Sequence, residues 1–253
     1  MKVYSVYFSP TGGTKKVADY ICSAWTGERV EIDLSDEKSE LEYIDFKHGD
    51  ILVVTVPCFG GRVPQFIIPK LESMKGKGTR AIIATAYGNR DYEDTLLELK
   101  DALKKSGFIC IAAAAAIAQH SLAPKIAAGR PNKRDEISLK VFSERCAELS
   151  FSDKEVEVPG KRPYREIANV PAKPSVKKGC VDCGRCAKGC PVNAISREDV
   201  RKTDKAKCIS CMKCVANCPT KARQVNGLIL KVAEMGLKKV CKTERENEYF
   251  YCE

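Results

Sequence analysis

Two copies of one cysteine pattern, C-x2-C-x2-C-x3-C-P, run through CVDCGRCAKGCP (Cys180 to Pro191) and CISCMKCVANCP (Cys208 to Pro219), and they hold eight of the chain's 14 cysteines. Three thiolates this close can wrap three corners of an iron-sulfur cubane. The fourth, held away by the proline that follows it, reaches a second cubane instead. The spacing therefore predicts one four-iron four-sulfur cluster on Cys180, Cys183, Cys186 and Cys218, and another on Cys208, Cys211, Cys214 and Cys190. Each half of the repeat ties down the other, so this small module is expected to fold only with both clusters in place. Zinc is the competing metal, but it prefers separated cysteine pairs, often with histidine. Here each triplet has one cysteine too many for a pair, and no histidine follows His120. Disulfides fit less well still. Met1 leads straight into KVYSVYF without a basic segment, a long apolar stretch or a cleavage site, so a cytoplasmic, thiol-reducing location is expected.

A chain of 253 residues with 44% hydrophobic content can bury two modest cores. Charge divides it as the cysteines do: residues 1–150 carry 21 Lys+Arg against 20 Asp+Glu, whereas 151–253 carry 22 against 13. The expected organisation is a first domain over 1–150, a proline-rich basic connector over 151–175, the cysteine module over 176–225 and a helical tail over 226–253. In the first domain, short apolar runs at 2–9, 29–35, 50–57, 79–87 and 108–118 have the length of buried strands. They alternate with amphipathic stretches at 14–25, 63–74, 91–107 and 132–149. Strands alternating with helices imply a parallel sheet covered on both faces. The fifth run contains five consecutive alanines, which prefer helix by propensity, and only the alternation and Gly107 argue for a strand. The uncharged stretch from Ser106 to Pro124 is alanine-rich and contains Gln119 and His120, so no membrane span is expected.

Directly after the first strand come Ser9-Pro10-Thr11-Gly12-Gly13-Thr14 and then a helix. Hydroxyls and glycine-exposed N–H groups at a helix N-terminus make an anion site, and a phosphate suits it. Ordinary capping by Thr and Gly is the bland reading. Neither a Gly-Lys-Ser/Thr phosphate loop nor G-x-G-x-x-G is present. Two further loops, Pro57 to Pro64 after the third strand and Thr85 to Tyr92 after the fourth, fall at the same carboxyl edge of the sheet, where ligands bind.

Together these loops resemble those of flavodoxin-like domains, and Cys180 to Pro219 resembles bacterial two-cluster ferredoxins throughout. The whole order is similar to the flavodoxin-ferredoxin fusion proteins of anaerobic prokaryotes. The resemblance implies an α/β fold, a doubly wound five-stranded parallel sheet in the order 2-1-3-4-5, followed by a small α+β ferredoxin-like domain. It implies FMN as a cofactor beside the two 4Fe-4S clusters. Ser9, Thr11, Gly12, Gly13 and Thr14 would then bind the flavin phosphate, while Phe59 and Tyr87 or Tyr92 would stack on its ring. Backbone around Pro57, Cys58, Gly60, Gly61, Thr85, Ala86, Gly88 and Asn89 would meet the ring edge. A tyrosine is usual in the family where Cys58-Phe59 stands here.

The implied function is electron transfer, with single electrons on the clusters and one or two on FMN. Two other readings stay open: a flavin-dependent reductase of a small organic acceptor fed by the clusters, and a redox sensor. Much of the formal charge of +10 offsets anionic cofactors, leaving about +4 on the loaded chain. The remaining excess, with Lys177, Lys178, Arg185, Lys188, Lys205, Lys207, Lys213 and Lys221 flanking the cysteines, suits an acidic redox partner. Nucleic acid is disfavoured, because no reader motif and no aromatic interleaving accompany the basic residues. The remaining candidates have ordinary readings. His48 is solvated, His120 and Ser121 end a strand without an acidic partner for a triad, and Cys22 and Cys146 fill a core. The segment 227–239 has helical spacing suited to packing on one of the domains, and Cys241 and Cys252 lie in a stretch without a recognisable pattern.

Overall fold

The computed structural model describes residues 1–36, 39–167 and 170–253. Five parallel strands form as the alternation predicts: β1 (Lys2–Tyr7), β2 (Glu28–Asp33), β3 (Ile51–Pro57), β4 (Arg80–Tyr87) and β5 (Ile109–Ile117). Their order is 2-1-3-4-5, that of a flavodoxin-like sheet. Helices α1 (Gly13–Ile21) and α4 (Lys133–Glu148) cover one face, α2 (Ile68–Glu72) and α3 (Thr95–Lys105) the other. The alanine run is strand because both of its faces are buried. Ala112, Ala114 and Ala116 pack with Leu139 and Phe142 of α4, and Ala113 and Ala115 lie in the opposite core with Leu99 and Leu103 of α3. Small side chains let both layers approach closely, and tertiary burial overrides alanine's helical preference.

Three local expectations are corrected. The helix expected over 63–74 is only a 3-10 turn at Gln65–Ile67 and the five-residue α2, because Pro69 cannot continue a longer helix through its own missing N–H. The first helix stops at Ile21 and finishes in a 3-10 turn over Cys22–Ala24. The sheet, moreover, has a sixth strand. The chain end, read as part of a helical tail, contributes β8 (Glu248–Tyr251), which pairs antiparallel with β5. Asn247 fixes its register: the side-chain oxygen accepts from Ile117 N–H at 2.8 Å, and the amide nitrogen donates to Asp135 at 3.1 Å. Tyr249 stacks on Phe142 with 5.0 Å between ring centroids.

The described part of the proline-rich segment 151–175 is fastened to the first domain. Val156 is buried and donates its N–H to the Cys110 carbonyl at 2.7 Å. The carboxylate of Asp94 accepts from the N–H groups of Lys161 and Arg165, each at 2.8 Å. Beyond it, β6 (Ser175–Val176) and β7 (Arg223–Gln224) form a two-stranded antiparallel ribbon. The short helices α5 (Arg185–Lys188) and α6 (Lys213–Ala216) carry the cysteine repeats, and α7 (Gly227–Val240) leads back to the sheet. Among the described residues no helix is long and apolar enough to cross a membrane.

Candidate functional site

The carboxyl edge of the parallel sheet opens into a cleft enclosing about 2000 Å³, solvent at its mouth included. Its floor comes from the loop after β1. Gly12 precedes α1 with a φ of +93°, a conformation that suits glycine and turns the chain so that the first N–H groups of the helix point outward. Ser9 stands behind this turn, its hydroxyl accepting from Lys15 N–H at 2.9 Å. Thr11, Gly13 and Thr14 line the cleft. Unpaired donors and the helix dipole thus face one anion-sized position.

The loops after β3 and β4 make the side walls through Pro57, Cys58, Phe59, Gly60, Ala86, Tyr87 and Gly88. Phe59 packs edge-on to Phe8, at 6.2 Å between centroids, and keeps part of its surface toward the cleft. The thiol of Cys58 points inward, accepting from Gly61 N–H at 3.2 Å and facing the Asp91 carbonyl at 3.6 Å. Burial pushes its pKa up, which makes it a poor redox nucleophile. Tyr87 is almost wholly buried and its hydroxyl is pushed up to about 12 by burial, so it presents a neutral ring.

Several residues expected at the flavin lie behind the cleft rather than on it. Tyr92 packs edge-on against Tyr87 at 5.2 Å, and its hydroxyl donates to Glu248 at 2.8 Å. Asn89 donates to the Thr243 carbonyl at 2.9 Å and accepts from Arg245 N–H at 2.8 Å. Both hold the chain end in place. Thr85 is buried within β4, and Gly61 is turned toward the Cys58 thiol and Asp94.

His120 borders the cleft, next to Gly88. A Cβ at residue 88 would come within 2.4 Å of the imidazole, so glycine is what lets the two touch. Its Nδ1 accepts from the N–H groups of Leu122 and Ala123, each at 3.2 Å, which leaves the ring proton on Nε2. Burial and the nearby Arg90 guanidinium depress its pKa to about 4, so the ring is neutral at physiological pH and costs stability only as pH falls from about 6.5 toward 4. The cations around it are already paired: Arg62 forks onto Glu98 at 2.7 and 2.9 Å, and Arg90 onto Glu93 at 2.8 and 2.9 Å.

The eight repeat cysteines line two cavities, four to each. One cavity of about 350 Å³ is lined by Cys180, Cys183, Cys186 and Cys218. A second, of about 360 Å³, is lined by Cys190, Cys208, Cys211 and Cys214. Each is thus lined by three cysteines of one repeat and the fourth of the other, and four thiolates are the donor set a 4Fe-4S cluster takes, although among the described residues no three of these side chains are gathered closely enough to hold a single metal ion. The two cavities differ in setting. Cys183 is exposed, whereas Cys211 is buried and packs into the core of the first domain. The inner segment also forms part of the cleft wall, through Ala206, Cys208, Ile209 and Ser210. It is pinned there by Lys173, whose ammonium donates to the Cys208 carbonyl, and by Lys213, 3.8 Å from Asp33. Connector residues Ile167 and Val170 and one face of α7 complete the enclosure. Sequence reading missed this wall. The apolar spacing of 227–239 was its one visible signal.

Residues 179–222 match the protein family described as 4Fe-4S dicluster domain. The matched segment carries both cysteine repeats. The first domain is similar to solved flavodoxins. One from the domain Archaea is 17% identical with a TM-score of 0.45, covering 60% of this chain and 100% of its own. A short-chain flavodoxin associated with a non-canonical PDU bacterial microcompartment is 22% identical with a TM-score of 0.45, covering 59% and 99%. Flavodoxin 1 from Bacillus cereus is 17% identical, also at 0.45, covering 58% and 98%. No curated protein matches the chain. The match marks residues 179–222 as an iron-sulfur segment.

Proposed function

We propose that the protein relays electrons between two 4Fe-4S clusters and one FMN held in the cleft. The observation that carries this reading is the shared wall: Cys208, a ligand of the inner cavity, also lines the cleft at the carboxyl edge of the sheet. In this reading the loop of Ser9, Thr11, Gly12, Gly13 and Thr14 takes the flavin phosphate on its N–H groups and hydroxyls. Phe59 and Tyr87 flank the ring, and backbone of Pro57, Cys58, Gly60, Ala86 and Gly88 meets its edge. Tyr92, Asn89, Thr85 and Gly61 support those loops from behind. Bound FMN supplies two-electron chemistry, and the protein's part is to hold it beside the inner thiolates and away from bulk water.

The outer cavity, with exposed Cys183, faces solvent among Lys177, Lys178, Arg185, Lys188 and Lys221, all exposed. This surface suits an acidic redox protein, met in the cytoplasm, as the external donor or acceptor. A flavin-dependent reductase is a second reading, favoured by the size of the cleft and by the Nε2–H of His120 beside it. Steady turnover of a small acceptor, faster than free FMN achieves, would select it.

Rapid mixing with a low-potential one-electron reductant tests the relay. Cluster bleaching is expected first, followed by flavin reduction at a rate independent of protein concentration. A flavin phase that scales with protein concentration would mean that electrons travel between molecules, and would overturn the relay. With an acidic protein donor, the uptake step should slow as salt rises, because exposed charges are screened over about 10 Å at 0.1 M.

A further inference from the structure

Among the described residues Arg223 is the largest fully buried side chain, 1% exposed, and it lines both cysteine cavities. It begins β7, immediately after the second repeat, and β7 holds it in the seam between the cavities. Its guanidinium meets only neutral acceptors. One terminal nitrogen donates to the Val200 carbonyl at 3.0 Å and the other to the Thr203 hydroxyl at 2.5 Å, while Nε has no partner. Among the described residues no carboxylate lies within ion-pair distance of it.

A guanidinium stays protonated under all ordinary conditions, so this is a permanent buried cation without a protein anion. Leaving such a charge uncompensated costs several kcal/mol. The anions that can compensate it are the thiolates on either side. Its side chain lines the cavity of each set, and its own backbone N–H faces the Cys218 sulfur at 3.4 Å. The surface lysines act through water and are screened, whereas a charge in the seam acts through the low-dielectric interior on both sets.

We propose that Arg223 is the shared counter-charge of the two clusters: it stabilises an electron added on either side of the seam and so raises both reduction potentials together. The inference rests on the two-cluster reading. Each reduction adds one electron from the external reductant to one cluster, with no bond made or broken in the protein.

The test is a redox titration, followed by electron paramagnetic resonance, on the full chain and on Arg223→Gln and Arg223→Lys. Glutamine removes the charge and keeps part of the hydrogen bonding; lysine keeps the charge. In Arg223→Gln both reduction equilibria are expected to weaken at least tenfold, about 59 mV for one electron. In Arg223→Lys they should move by less than a third of that. The glutamine shift should persist at high salt. Potentials unmoved in Arg223→Gln, or moved on one cluster alone, would overturn the proposal. Should Arg223→Gln fail to assemble clusters, assembly of Arg223→Lys with near-native potentials supports the charge requirement. Failure of both would show that Arg223 acts through shape and would overturn it. A wild-type chain that binds no iron would instead remove the two-cluster reading itself.

Discussion

Cys190→Ala is expected to cut the electron path to the flavin, and Cys218→Ala is not. Both variants should lose about half of their iron, since each residue is the fourth ligand of one cavity and the module, although its size alone would demand both clusters, is also fastened to the first domain through Cys211 and the Lys213–Asp33 pair. Cys190 lies in the first repeat yet lines the inner cavity, and Cys218 lies in the second yet lines the outer one. In the proposed relay the inner set borders the cleft that takes the flavin, so without it the flavin phase should slow about a hundredfold or more, about 2.7 kcal/mol on the barrier. Without the outer set, a small diffusible reductant should still reach the flavin through the inner one, while delivery from a protein donor is lost. Iron analysis and stopped-flow absorbance on both variants check this. The reverse pattern, with Cys218→Ala alone silencing the flavin, would contradict the placement of the two sets.

The second large effect belongs to the chain end. Removing residues 242–253 strips β8 from β5, takes Tyr249 off Phe142 and removes the Asn247 bridge between Ile117 and Asp135. It also frees Asn89 and Tyr92, whose side chains hold Thr243, Arg245 and Glu248. Two half-buried tyrosines and one strand pairing are together worth about 5 kcal/mol. For a domain of this size that corresponds to a fall of about 10–20 °C in unfolding temperature. The bared edge of β5 would also invite aggregation. Thermal unfolding followed by near-ultraviolet circular dichroism measures it, and a fall below about 3 °C would show that the tail is a passive appendage.

These results bear on what could be read from the chain. The five parallel strands were legible because each is a short apolar run between amphipathic stretches, and even the alanine strand yielded to that alternation. The sixth was not. EYFY is four residues after a charged segment, and only the edge of β5, formed far away in sequence, gives it a partner. The cysteine pattern was legible because cluster ligation demands fixed local spacing, and the crossed division into two cavities follows from the proline after each fourth cysteine. Tyr92 and Asn89 show the limit of adjacency. They stand in the right loop for a ring contact, yet their side chains face the chain end. Arg223 carried no signal at all: in a basic segment, one arginine looks like any other until burial separates it from the rest.

The proposed relay requires one chain to hold two iron-sulfur cubes and one flavin together. Anaerobically prepared protein, supplied with iron, sulfide and FMN, should contain about eight iron, about eight sulfide and about one FMN per chain. Zinc in place of iron, or FMN that stays free with undiminished fluorescence, would contradict it.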